Sequence, residues 1–255
     1  TQGSGNITIA SPQYVGIANV IDSLIIVKQF VYDKKIVTMQ ELTAAVQANW
    51  SGFEELRTLI IKKGDFFGND TERSNSIAQR FYQSLYEFFK DKTNLFGYHR
   101  LVGDLIGYNP HHQWFGEKTA ATPDGRYTGD ALKFGLGQSE GKDRNGLTAL
   151  LNSIAKVDPN GIGCGSTVTN IMPDGQLIKN DADFNKTADL LETYFKNGGV
   201  HFQLTYVSRE DLLNAKKAPE KYKNLRVRVS GFSDYFVNLN EPLQDDIIRR
   251  TIQKE

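Results

Sequence analysis

Several residue groups in this chain have types and spacings that could do chemistry. His111, His112 and Glu117 are metal-ligating types, but adjacent histidines point in different directions and no further ligand stands at a suitable spacing, so no metal site is assigned. Gly135-x-Gly137-x-x-x-Gly141 has the look of a phosphate loop, yet its spacing does not fit a dinucleotide fold, and a loop is the stronger reading. His201 and Gln203 alternate along an expected strand and so share a face, which suits a structural hydrogen-bonded pair better than acid–base catalysis. Arg126 ends the turn Thr122-Pro123-Asp124-Gly125-Arg126, where it could reach a substrate or anchor nearby backbone. Gly231 lies between the strand-like Leu225-Arg226-Val227-Arg228-Val229 and an aromatic stretch, a place where glycine ordinarily marks a turn or bulge.

Composition narrows the partners. The 255 residues carry 30 basic and 30 acidic side chains, so there is no net charge to attract nucleic acid or an anionic membrane. Residues 15 to 31 are apolar-rich but interrupted by Asn19, Asp22, Ser23, Lys28 and Gln29, too polar for a membrane span. No targeting segment is evident. One cysteine permits no internal disulfide, which fits a reducing cytoplasm. The opening Thr1-Gln2-Gly3-Ser4-Gly5, without methionine, leads us to expect part of something longer or a processed chain.

Start and stop signals indicate the elements that position these residues. After Ser11-Pro12, the residues Val15, Ala18, Ile21, Leu24, Ile25, Val27, Phe30 and Val31 cover nearly all sides of a helix, which predicts one buried in a larger body. Thr38-x-x-Glu41 and Ser51-x-x-Glu54 read as capping boxes opening helices near 39–49 and 52–62. A long helix is expected from Thr71 to Lys92, with Ile77, Phe81, Leu85, Phe88 and Phe89 facing the core. Residues 93 to 145, rich in Gly, Pro, Asn and Asp, read as loops with short strands. Helices follow at 145–156 and 183–196, the second ended by Asn197-Gly198-Gly199 as a left-handed cap. A strand spans 200–207, Ser208-x-x-Asp211 opens another helix, and a strand over 225–229 enters Gly231. Helices alternating with strands make the class α/β.

The run Arg228-Val229-Ser230-Gly231-Phe232-Ser233-Asp234-Tyr235-Phe236 resembles the signature of the glycyl radical enzymes. Further blocks occur in that family's order: Gly68-Asn69-Asp70, Ala121-Thr122-Pro123-Asp124-Gly125-Arg126, Gly146-Leu147-Thr148-Ala149 with Ser153-x-Ala155-Lys156, Gly198-Gly199-Val200-His201-Phe202-Gln203, Pro219-Glu220-Lys221-Tyr222, and Gln244-Asp245-Asp246-Ile247-Ile248-x-Arg250-Thr251. One short motif carries little weight, but an ordered series over most of the chain argues strongly against coincidence. The resemblance is to the C-terminal portion of the family, and closer to its lyase and dehydratase branch than to pyruvate formate-lyase. Two positions depart from the branch, Thr205 where Asn is usual and Asp234 where a small apolar residue commonly follows the motif. Both leave the substrate subgroup open.

The resemblance implies the C-terminal part of a ten-stranded α/β barrel, over 1–200, followed by a glycyl radical domain over 201–255. It also implies that Gly231 is modified to a radical and is the catalytic residue. A Cα radical is stabilised when amide nitrogen, Cα and carbonyl lie near one plane, and a side chain would crowd that plane. A radical S-adenosylmethionine activating enzyme would install the radical, with no cofactor bound by this chain. The radical would then pass to a cysteine, whose thiyl takes hydrogen from a small polar substrate. Cys164, in Gly161-Ile162-Gly163-Cys164-Gly165-Ser166-Thr167-Val168-Thr169-Asn170, matches a later barrel strand, where a small buried cysteine is a stronger reading than a relocated thiyl. The reactive cysteine is therefore expected in an N-terminal region of the same polypeptide or in a separate subunit, within an oligomer. Ser166, Thr167, Thr169 and Asn170 could line a pocket for a hydroxylated substrate. Alternatives are a formate acetyltransferase of the pyruvate formate-lyase type and a spare-part radical protein that rescues a damaged enzyme.

Overall fold

The structure is a computed structural model that describes residues 13–93, 103–104, 111–133, 142, 144–157, 169–171, 178–204, 206–230 and 232–250. The elements are β1 (Gln13–Tyr14), α1 (Ile17–Ile26), α2 (Met39–Gln47), α3 (Glu54–Lys63), α4 (Glu72–Phe89), β2 (Gly103–Asp104), α5 (His111–Glu117), α6 (Gly146–Val157), β3 (Asn170–Ile171), α7 (Asp181–Lys196), β4 (Gln203–Leu204), α8 (Arg209–Lys217), β5 (Arg226–Ser230), β6 (Phe232–Tyr235) and α9 (Glu241–Arg250). β1 pairs in parallel with β2 and β3 with β4, whereas β5 and β6 form an antiparallel hairpin. Parallel pairing requires a long crossover. In the second pair that crossover carries α7, so β3–α7–β4 is a βαβ unit.

Helices α1, α4, α6 and α7 pack successively against one another. Their shared core holds Ile21, Ile25, Phe67, Tyr82, Leu150 and Ile154. The expected α4 runs over nearly the expected span, with Thr71 as N-cap; the expected Ile77, Phe81 and Leu85 pack against the core beside the buried Ala78 and Tyr82, whereas Phe88 is exposed. Beyond α1 the chain widens into a π-helical segment, Val27–Asp33, with the Lys34 N–H reaching back five residues to the Gln29 carbonyl. The wider turn turns Gln29 inward, where its amide donates to the Lys63 carbonyl and its Oε1 accepts from the Asp65 N–H. Gln29 thereby satisfies groups at the C-terminal end of α3. A second cluster, with Phe30, Leu42, Trp50, Ile60 and Phe66, fills the space among the π segment, α2 and α3.

Thr38 forms the expected capping box with Glu41, and Ser208 caps α8 through the Asp211 N–H. The box expected at Ser51 does not form. Asn49 and Trp50 adopt left-handed backbone, Trp50 buries its indole with Nε1 donating to the Arg126 carbonyl, and Glu54 accepts from the Gly52 N–H instead. Helix α3 accordingly starts at Glu54 with Phe53 at its N-cap. Across 93–145, where loops with short strands were expected, the short strand β2 agrees and helix α5 departs from the expectation. Among the described residues, the strand expected over 200–207 is confined to Gln203–Leu204, the two residues that β3 pairs with. Thr205 lies outside them. A third cluster, Leu212, Ala215, Val227, Val229, Phe236, Ile247 and Ile248, is built wholly from α8, the hairpin, the following turn and α9.

Candidate site around the Gly231 hairpin

Strand β5 ends at Ser230 and β6 begins at Phe232, so Gly231 stands between the two strands in sequence, itself outside the described residues. The alternation on β5 explains how the hairpin docks: Val227 and Val229 are buried in the third cluster, while Arg226 and Arg228 take the other face. The register runs Arg226 with Tyr235, Val227 with Asp234, Arg228 with Ser233, then Ser230 with Phe232, so β5 has one extra residue between Arg228 and Ser230. A bulge there bends and twists the strand just before Gly231.

Arg228 ties this hairpin to β4. Its Nε donates to Gln203 Oε1 at 3.3 Å, and a terminal guanidinium nitrogen lies 3.4 Å from Ser233 Oγ on β6. The Gln203 amide nitrogen is 3.3 Å from His201 Nε2. On its other side, His201 Nδ1 accepts from the Thr169 N–H at 3.3 Å, and the Thr169 carbonyl accepts from the Gln203 N–H at 2.8 Å. An unbroken polar series thus runs from β3 through His201 and Gln203 to Arg228 and the hairpin. Burial holds the His201 imidazole below its ordinary value of 6.5, and the Arg228 guanidinium pushes it the same way.

The turn before β4 is fixed by α7. Gly198, at φ 98°, closes the helix, with Gly198 N–H to the Phe195 carbonyl and Gly199 N–H to the Tyr194 carbonyl, the paired bonds of a Schellman motif. A Cβ on Gly199 would stand 2.4 Å from the Tyr194 ring. This close approach lets the Tyr194 hydroxyl donate to the His201 carbonyl at 3.0 Å.

The expected His201–Gln203 pairing is present, while Arg228 and Tyr194, which hold it, were not singled out by the sequence. The signal for Arg228 was the Arg-Val-Arg-Val alternation. Arg126 anchors backbone: its guanidinium donates to the carbonyls of Thr119, Ala120 and Asp130. His111 packs against Trp114 and Phe115, whereas His112 faces Asp246 of α9 at 3.3 Å, so the two histidines part as expected. Among the described residues no group of three or more His, Cys, Asp or Glu could hold a metal, and no helix is long and apolar enough to cross a membrane. The blocks around Asp70 and Lys156 meet: Asp70 accepts from Asn75, Asn152 and Lys156, and its N–H donates to Ser153. Cys164, Ser166, Thr167 and the glycine loop at 135–141 lie outside the described residues, and Thr169 is fully buried.

Residues 132–237 match the family described as glycine radical, and residues 2–103 the family described as pyruvate formate lyase-like. The chain is 35% identical over 241 residues to trans-4-hydroxy-L-proline dehydratase of Clostridioides difficile, covering 94% of this chain and 30% of the relative. It is 31% identical over 242 residues to isethionate sulfite-lyase of Bilophila wadsworthia, covering 94% and 29%. Among solved structures, the B12-independent glycerol dehydratase of Clostridium butyricum superposes with a TM-score of 0.88 at 34% identity, over 98% of this chain and 31% of that one. The chain therefore spans about 30% of the length of the curated relatives it matches.

Proposed function

Because the chain belongs to the glycyl radical enzyme family and has its fold, we propose that it stores the radical on Gly231 and passes it to a cysteine in a further region or a partner chain. A radical S-adenosylmethionine activating enzyme removes one hydrogen atom from the Gly231 Cα. The radical then takes the hydrogen of a cysteine thiol, which restores glycine and leaves a thiyl. The thiyl takes hydrogen from a small polar substrate, a C–O, C–N or C–S bond breaks, and the product radical recovers its hydrogen from the thiol. One observation carries the reading: the strands flanking Gly231 are held to β4 by Arg228 and Gln203, a fixed setting for a glycine that must meet a second group.

The self-contained cluster of α8, the hairpin and α9 supports taking 201–255 as the glycyl radical domain and 1–200 as the barrel portion. That the relatives are named as dehydratases and a sulfite-lyase supports bond cleavage over acyl transfer. The match over residues 2–103 goes beyond what a spare-part radical module needs. Large exposed apolar side chains, among them Phe88, Trp114, Phe115, Phe184 and Phe195, support a complementary region or subunit that covers them. A single cysteine suits a cytoplasmic setting.

Anaerobic activation followed by exposure to air tests the assignment. Mass spectrometry should find the backbone cut at Gly231, and a chain left intact after activation counts against it.

A further inference from the structure

Gln203 is half-buried, is fixed by its own backbone to Thr169, and offers its side-chain oxygen to Arg228, which also reaches across the hairpin to Ser233. Its neighbours are equally anchored: His201 is held by the Thr169 N–H and, at its carbonyl, by the Tyr194 hydroxyl. Strand β4 is thus a fixed post. The β5–β6 hairpin has its own packing through Val227 and Val229, but those contacts are with α8, α9 and the following turn, all within the C-terminal cluster. They set the hairpin within its own cluster, and Arg228 joins it to the β3–β4 pair. We propose that Arg228 and Gln203 are positioning residues, a charge-assisted tether that registers the Gly231 hairpin on the β3–β4 pair. The inference rests on the reading of Gly231 as the radical position for its purpose, although the tether can be tested without any radical.

Gln203 supplies the acceptor, so the tether depends on its oxygen rather than on its volume. Replacing it with leucine removes the acceptor at similar size, whereas glutamate keeps an oxygen and pairs it with the guanidinium. A hydrogen bond to a charged group corresponds to roughly a tenfold or greater change in a local opening equilibrium. Hydrogen–deuterium exchange on the full chain reads that equilibrium for peptides spanning 226–235, with α4 as the internal standard. Gln203→Leu should raise exchange of the hairpin about tenfold and leave α4 unchanged, and Gln203→Glu should restore the parent rate. Arg228→Gln should match Gln203→Leu, and the double variant should be no worse than either single one. Exchange unchanged in both Gln203→Leu and Arg228→Gln overturns the tether, as does a Gln203→Glu variant as open as Gln203→Leu. Absence of a radical in the activated parent would strike the Gly231 reading alone, since exchange is measured on the unactivated chain.

Discussion

His112 on α5 and Asp246 on α9 face each other at 3.3 Å with both side chains almost wholly buried. The pair joins a helix of the expected barrel portion to the last helix of the C-terminal cluster, across 134 positions of sequence. Removing one partner of a buried polar contact leaves the other unsatisfied, at a cost of about 1–3 kcal/mol. Asp246→Ala should therefore lower stability by about 2 kcal/mol in denaturant unfolding, and no measurable loss would refute a structural role for the pair.

Asp70 provides an acid-sensitive joint between the α4 N-terminus and α6. Burial works against its charge, but the hydrogen bonds from Lys156, Asn75 and Asn152 and the Lys156 charge outweigh it and hold the carboxyl below its ordinary 3.8. A depressed carboxyl contributes stability above its unfolded value and loses it as pH falls through the lower folded value. Asp70→Asn should destabilise the chain at pH 7, and the gap between variant and parent should narrow as pH falls below 3.8 toward the lower folded value. Unfolding curves across that range check it.

His201 titrates with the opposite charge but the same sense of loss. Its folded value is depressed below 6.5, so its contribution is present above 6.5 and diminishes as pH falls toward the folded value. Burial is the larger cause and the Arg228 charge the second. Arg228→Met should raise the His201 value toward 6.5 without reaching it, as seen in an imidazole NMR titration. A value unmoved by the substitution would mean that the two groups do not sense each other.

Gly199→Ala tests the packing beneath His201. The new Cβ would meet the Tyr194 ring at 2.4 Å, and overpacking of this kind costs about 1–3 kcal/mol. Displacing the ring also removes the hydroxyl donor from the His201 carbonyl. The thermal midpoint should fall, and the exchange of His201 and Phe202 amides should rise with it.

How much of this was legible in the sequence depends on whether the cause was local. The caps at Thr38, Ser208 and Asn197-Gly198-Gly199 rest on side chains or glycines within a few residues, and all three formed. The false capping box at Ser51 and the missed helix α5 rest on distant partners. Trp50 turns inward to the Arg126 carbonyl, and α5 is held by Asp246 and by a Leu132 N–H bond to the His112 carbonyl, contacts that no local pattern announces. The helix within 15–31 was legible, but its burial on nearly every side was not met in full, since Leu24 is exposed, and the π segment Val27–Asp33 was not announced by the pattern. At the site, the motif pointed to Gly231 and the alternation to the His201–Gln203 pair. Arg228 stood inside the quoted motif, but what it reaches depends on a parallel strand pair built from 170–171 and 203–204.

The central claim is that Gly231 carries the radical. Electron paramagnetic resonance of the anaerobically activated chain, prepared once with ordinary glycine and once with α-deuterated glycine, tests it most directly. The account predicts a doublet from the one hydrogen left on Cα, its collapse on deuteration, and its loss in Gly231→Ala. No signal with an activating enzyme that is competent toward the chain, or a doublet that survives in Gly231→Ala, would contradict it.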